Sequence, residues 1–316
     1  MFHLIILGLT GLFILMYIIF FRNHRYDSKV LKVLGVLLFV AHCATLHYKY
    51  AIDKASGLEG IFEPAGLIWM VILKWFTNIA VAVGIFGTWF KTRTFEKISM
   101  TLLPIVAIFN FIYIDEILIA AFGYEYDFLS NYRTFGFVLQ ASFLLMVSFV
   151  WVWKMIKERD FKFSKKEVLN YVLSILGMMV AFFPEGALQI FFGPYPEKTK
   201  DFTFIHRICL YANVLYFGLS LFAMKGKSPE VKRAFLVIAG FSALSQYFYN
   251  QRFGITNGRY WGYSGLPLHL CNTAVILVFV AYVFKAKGLF YFSFFVNVLG
   301  AFLSSDSVKT FVLIAP

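Results

Sequence analysis

The stretch His3–Phe21, HLIILGLTGLFILMYIIFF, decides the fold class of this chain: 19 residues without a single Asp, Glu, Lys or Arg. A helix that crosses a bilayer needs about 20 mostly apolar residues. The hydrocarbon core offers the backbone no water, so only helices and closed barrels cross it. A run this long with no period-two alternation is a helix, and one apolar on every side lies in lipid or in a deep core.

Working outward, the same pattern recurs along the whole chain. The sequence predicts ten spans, at 3–21, 30–47, 67–90, 98–122, 135–154, 168–192, 204–224, 232–249, 266–284 and 288–304. Of the 316 residues, 60% are hydrophobic and only 15% are charged, against about 45–50% and about 25% in soluble domains. Mean hydropathy is +0.74. These values exclude soluble globular, disordered, collagen-like and disulfide-scaffold classes. The expected fold is an all-α polytopic transmembrane bundle.

The net charge of +12 would suggest nucleic acid in a soluble protein. Here its distribution is topological. Loops after the odd spans carry 19 Lys and Arg, from Arg22 and Arg25 through Lys154–Lys166 to Lys285 and Lys287, and the other side carries 8. Cytoplasmic loops are enriched in Lys and Arg. The expected placement is therefore multi-pass in the cell membrane with the N-terminus outside, membrane lipids as partners, and no nucleic acid. The sequence also admits a homo-oligomer. No cleavable signal peptide is expected, because Met1-Phe2-His3 lacks a basic start. Cys43, Cys209 and Cys271 all fall in apolar segments and do not form a disulfide framework. There is no zinc-ligand spacing and no phosphate-binding glycine loop, so no cofactor or metal is implied.

The pattern repeats with a period near 200. Leu31-Lys32 corresponds to Val231-Lys232, Tyr48 to Phe248, His3 to His206, and Thr77-Asn78 to Cys271-Asn272. Residues 1–200 then form a first repeat of six spans and residues 201–316 a second of four. Six is even, so the copies would be parallel, and the second is expected to stop after its fourth helix. The alternative is the general likeness of any two polytopic sequences.

Ionisable groups in a membrane mark function by default, and here they gather toward the outer side. Lys74, Asp115 and Glu116, Glu185, His206 and Arg207, His269, Cys271 and Asn272, Asp306, His42 and His47 all stand in outer halves of spans or at their outer ends. They either line one polar cavity open to the outer leaflet or stand singly at headgroup level, reaching water. The sharpest string is Ser264-Gly265-Leu266-Pro267-Leu268-His269-Leu270-Cys271-Asn272. Pro267 is tolerated in a first helical turn. His269 and Cys271 then stand near a helix N-terminus, whose positive field favours a thiolate and a bound anion. The plainer alternative is a packed cysteine beside an interfacial histidine. In the segment 247–263, seven aromatic residues surround Arg252 and Arg259. They suit an aromatic belt, and the two arginines could also hold a phosphate bidentately.

Leu266 to Cys271, LPLHLC, resembles the signature string of the YwaF family of bacterial integral membrane proteins. His206 in Thr203–Arg207 and the small-residue stretch Leu299–Asp306 are similar to further family features. The resemblance covers about 202–306. The family is about six helices long, and this chain lacks its later histidine. Through the family's similarity to eukaryotic membrane acyltransferases, the resemblance implies transfer of acyl chains between phospholipids. A Cys nucleophile with a His base suits that chemistry. His269 and Cys271 are two residues apart and diverge by about 200° on a helix, so His269 is a poor base for Cys271. His206 is the better local candidate, and His269 could donate to a phosphate or an oxyanion. Asn272, Arg252, Arg259, Glu185 and Lys74 are candidate substrate contacts. A small-solute transporter and a non-catalytic membrane assembly protein are the alternative functions.

Overall fold

The computed structural model describes residues 1–21, 27–45, 64–90, 92–122, 132–158, 162–183, 204–256 and 270–304. It gives the backbone alone at 64–68, 122, 132–133, 204–210, 213, 246–256, 270–272, 274–275 and 296–304. Among the described residues all regular structure is helical. These residues form eleven helices: α1 (Phe2–Phe20), α2 (Asp27–Thr45), α3 (Pro64–Phe86), α4 (Arg93–Ile112), α5 (Ile114–Phe122), α6 (Tyr132–Glu158), α7 (Lys165–Ala181), α8 (Phe204–Met224), α9 (Pro229–Thr256), α10 (Leu270–Phe284) and α11 (Lys287–Ser304). Among the described residues, α1, α2, α3, α4 and α6 are long and apolar enough to cross a membrane. The protein is an integral membrane protein. The chain divides into two compact units, Met1–Phe191 and Phe192–Pro316.

In the first unit α6 is the central helix, packed against α1, α2, α3, α4 and α5. Val138, Leu144, Val147 and Val150 along it are fully buried. Lipid tails are as apolar as leucine, so helices associate through close packing and small residues. The α2–α3 crossing shows how. A Cβ on Gly35 would stand 3.1 Å from the Ile85 carbonyl oxygen, and one on Gly84 would stand 2.8 Å from Leu38 Cδ2. On α6, a Cβ at Gly136 would meet Ala44 of α2 at 2.9 Å. By contrast α1 exposes Leu4, Leu7, Leu12, Leu15 and Ile19, a contiguous apolar face of a kind that soluble monomers rarely present to water.

The basic ends of the helices are tied by polar contacts. Thr92 caps α4 by accepting the Phe95 N–H, and Ser164 opens α7 with a capping box closed by Glu167, which satisfies otherwise unpaired amides. Arg93 Nε donates to Glu167 at 2.9 Å, and Lys154 pairs with Glu96 at 3.3 Å. Tyr17 of α1 donates to the Asp27 carboxylate at the start of α2, and both are buried.

Several expected boundaries differ. The span at 98–122 is two helices, broken at Tyr113, whose N–H still bonds Phe109 O while its own backbone leaves the helical region. Asp115 and Glu116 then fall in the first turn of α5, where the helix field favours acidic side chains. Lys97, expected in a basic loop, lies inside α4 and is 2% exposed. Its Nζ donates to Lys162 O at 3.0 Å and stands 4.5 Å from the centre of the Phe163 ring, which replaces the lost water. α3 ends at Phe86 rather than 90. Gly87 follows, where a Cβ would meet Val83 O at 2.6 Å and Ser99 Oγ at 2.8 Å. α9 runs to Thr256, so Tyr247, Phe248, Tyr249, Arg252 and Phe253 belong to a helix and not to a loop. No glycine or proline interrupts the helix between Phe241 and Phe253, so nothing there stops it.

In the second unit α9 packs against α10 and α10 against α11. Gly226, with φ +73°, turns the chain out of α8 in the left-handed conformation that glycine adopts readily. Two residues later Ser228 Oγ accepts the Val231 N–H at 3.4 Å, and Pro229 takes the first helical position, where its missing N–H costs nothing. Arg233 donates to the carbonyls of Tyr282 and Val283 at 2.8 and 2.5 Å and so ties α9 to the end of α10. Those carbonyls are among the last of α10, which lack helical partners.

Candidate functional site

Cys271 and Asn272 stand in the first turn of α10, and His206 is the third residue of α8. Each helix therefore presents a candidate near its N-terminus, where unpaired N–H groups and the helix dipole concentrate positive potential. Tyr216 of α8 meets Phe235 of α9, and Arg233 and Phe241 of α9 meet Tyr282 and Phe279 of α10, so α8 and α10 both run antiparallel to α9 and their first turns lie toward the same side. Arg252 stands within the last two turns of α9. These four positions are placed by backbone. Glu185, Arg259 and His269, with Pro267 beside it, lie outside the described residues, as do His47 and Asp306.

Lys74 is the one predicted site residue whose side-chain surroundings are described. It is half-buried on α3, one turn before Thr77 and acting electrostatically on His42 of α2. Around this level the first unit holds a polar layer. Thr77 donates to Leu73 O at 2.7 Å, and Asn110 of α4 donates to Thr77 Oγ1 at 2.8 Å and to Val106 O at 2.9 Å. Thr45 of α2 donates to Gln140 Oε1 of α6 at 2.6 Å, within reach also of His42 O at 2.8 Å. His42, Thr45, Thr77, Asn110 and Gln140 are all buried. Thr45, Gln140, Thr77 and Asn110 persist there because each finds a hydrogen-bond partner.

Reading the sequence for ionisable groups missed Thr45, Thr77, Asn110 and Gln140 as a layer. The signal available was an Asn and a Gln within apolar spans, the residue types that hydrogen-bond between helices in lipid. Nearer the chain start, His3 Nδ1 stands 3.7 Å from Asp115 Oδ2, and Nε2 stands 3.3 Å from Ile112 O, so His3 holds α1 to the α4–α5 break.

At the basic end, outside the spans, the Ser164 backbone N–H and the Arg93 side chain draw the Glu167 carboxyl down from 4.5 to about 2. A carboxylate that accepts several N–H bonds is stabilised in its charged form. This group fastens α7 to α4.

No curated protein and no solved structure matches the chain. Residues 198–305, about a third of the sequence and almost the whole of the second unit, match the model of the TMEM164 family, so this part of the chain is similar to a family of membrane proteins.

Proposed function

We propose that the second unit transfers acyl chains between membrane phospholipids, with Cys271 as nucleophile. The observation that carries this reading is the position of Cys271 in the first turn of α10, within the stretch 198–305 that matches a membrane protein family. A helix N-terminus lowers a thiol pKa and favours the thiolate. In the first step Cys271 Sγ attacks the carbonyl carbon of a phospholipid ester. The carbon–oxygen ester bond breaks, a thioester forms, and the proton taken from the thiol by His206 passes to the departing lysolipid oxygen. In the second step the hydroxyl of an acceptor lysolipid loses its proton to His206 and attacks the thioester, which restores the thiol. His269 or Asn272 donates to the carbonyl oxygen as it becomes an oxyanion, and Arg252 and Arg259 hold the phosphate.

The same reading keeps the ten-span arrangement in the cell membrane with the N-terminus outside, residues 1–200 and 201–316 as parallel repeats of six and four spans, and membrane lipids as the partners. The LPLHLC string at 266–271 and its YwaF-like setting supply the chemical class. Lipid profiles of membranes with and without the protein test it. Altered acyl composition of phospholipids is expected. Unchanged acyl composition, with altered uptake of a small solute, would replace it by a carrier.

That second reading has its own support in the first unit. Lys74 and the hydrogen-bonded layer of Thr45, Gln140, Thr77 and Asn110 put polar side chains deep among apolar helices, as carriers do at their solute sites.

A further inference from the structure

Between α8 and α9 the second unit opens a cleft of 790 Å³. Its walls are apolar, formed by Phe217 and Leu221 of α8 and Phe235 and Leu236 of α9, and its rim carries Lys225 and Lys232. We infer that this cleft seats one acyl chain of an anionic phospholipid, with the phosphate held between the two lysines. The inference is independent of the acyl-transfer reading, because the cleft lies at the end of the hairpin opposite the first turns of α8 and α10.

Three observations carry it. First, the turn fixes the rim. Gly226 in the left-handed conformation, Ser228 as cap and Pro229 at the first position of α9 leave the connection little freedom, so both lysines are held at one end of the cleft. Second, the depth fits. α8 has 21 residues, about 30 Å of helix, which matches a hydrocarbon core of about 30 Å. Lys225 directly follows α8 and so stands at headgroup level. Third, the chemistry is complementary. Phe217 and Leu221 are 65% and 60% exposed, an apolar surface that a lipid tail covers. The lysines supply charge where an anionic phosphate lies, on the side to which lysine-rich loops are drawn.

The test uses the full chain reconstituted in phosphatidylcholine vesicles. Traces of phosphatidylglycerol, or of phosphatidylcholine, carry the same photoreactive group on one acyl chain. Adducts are mapped by mass spectrometry of the peptides covering 214–239. Phosphatidylglycerol is expected to label this segment several-fold more than phosphatidylcholine. In Lys225→Gln and Lys232→Gln its labelling should fall about five-fold each, the equivalent of about 1 kcal/mol per basic residue at an anionic surface. Labelling by phosphatidylcholine should not change, and Lys285→Gln with Lys287→Gln should leave both signals as they are. On the unaltered protein, 0.5 M salt should bring phosphatidylglycerol labelling toward the phosphatidylcholine level, since the screening length falls to about 4 Å near that strength. Equal labelling by the two lipids, or a charge preference that survives both glutamine substitutions, would overturn the inference.

Discussion

Asn110 on α4 donates to Thr77 Oγ1 on α3 at 2.8 Å, and both side chains are buried. This bond registers α3 against α4 one turn from Lys74, so the polar layer and the half-buried lysine are parts of one arrangement. Breaking it has a predictable asymmetry. Thr77→Val leaves the Asn110 amide with an unsatisfied proton and should lower stability by about 1–3 kcal/mol. The double variant Thr77→Val with Asn110→Leu removes both polar ends and should recover much of that loss. Thermal unfolding in detergent checks this. Additive losses in the double variant would show that the bond does not couple the two helices.

The α2–α3 contact depends on having no side chain at Gly35, where an added Cβ stands 3.1 Å from the Ile85 carbonyl oxygen. Backbone cannot step aside as a flexible side chain can. Gly35→Leu should therefore cost about 1–3 kcal/mol through overpacking, whereas Gly8→Leu, which meets nothing within 4 Å, should be close to neutral. Equal melting temperatures for the two variants would contradict the packing described for α2 and α3.

Much of this architecture was legible in the sequence. The span at 3–21 falls within a residue of α1, because a long uninterrupted apolar run has one solution in lipid, and the helix expected at 204–224 coincides with α8. The break at Tyr113 was not legible: the flanking residues are as apolar as those of an unbroken span, and the acidic pair Asp115–Glu116 was read as an outer end rather than a second helix start. Lys97 was misplaced for a related reason. A lysine signals a loop until tertiary structure supplies Lys162 O and the Phe163 ring. At the candidate site, the string around Cys271 was found by its motif, whereas the layer of Thr45, Gln140, Thr77 and Asn110 consists of uncharged polar residues whose importance appears only when helices are paired.

Glu167 links acidity to the fastening of α7. Its carboxyl lies near 2 in the folded protein, against 4.5 when free. A depressed folded value means that its contribution is present above the free value and is lost as pH falls from about 4.5 toward 2. The Ser164 amide donates to Glu167 Oε2 at 2.7 Å, and its protection against hydrogen exchange, corrected for the intrinsic pH dependence of exchange, should fall across that window in the native protein. In Glu167→Gln, whose amide oxygen can still accept this bond but does not titrate, the corrected protection should show no such acid step. A native protein with no acid-dependent step there would remove the assigned role of the carboxylate.

The proposed topology rests on the distribution of Lys and Arg, 19 in the loops after the odd expected spans and 8 in the others. With the native cysteines replaced, single cysteines at Lys165 and at Asn257 would be exposed in turn to an impermeant thiol reagent on intact cells. Labelling of the Asn257 variant, and of the Lys165 variant only after permeabilisation, is the expected result. The reverse pattern would invert the chain in the membrane.

The central claim is that Cys271 carries the acyl group. The purified chain would be incubated with a phospholipid bearing a labelled acyl chain, quenched in acid, digested and weighed. The account predicts a labelled acyl mass on the peptide containing Cys271, released by neutral hydroxylamine as a thioester is, absent in Cys271→Ala and reduced in His206→Ala. Acyl transfer that proceeds undiminished in Cys271→Ala, or a chain that forms no such adduct and moves no acyl group, would contradict it.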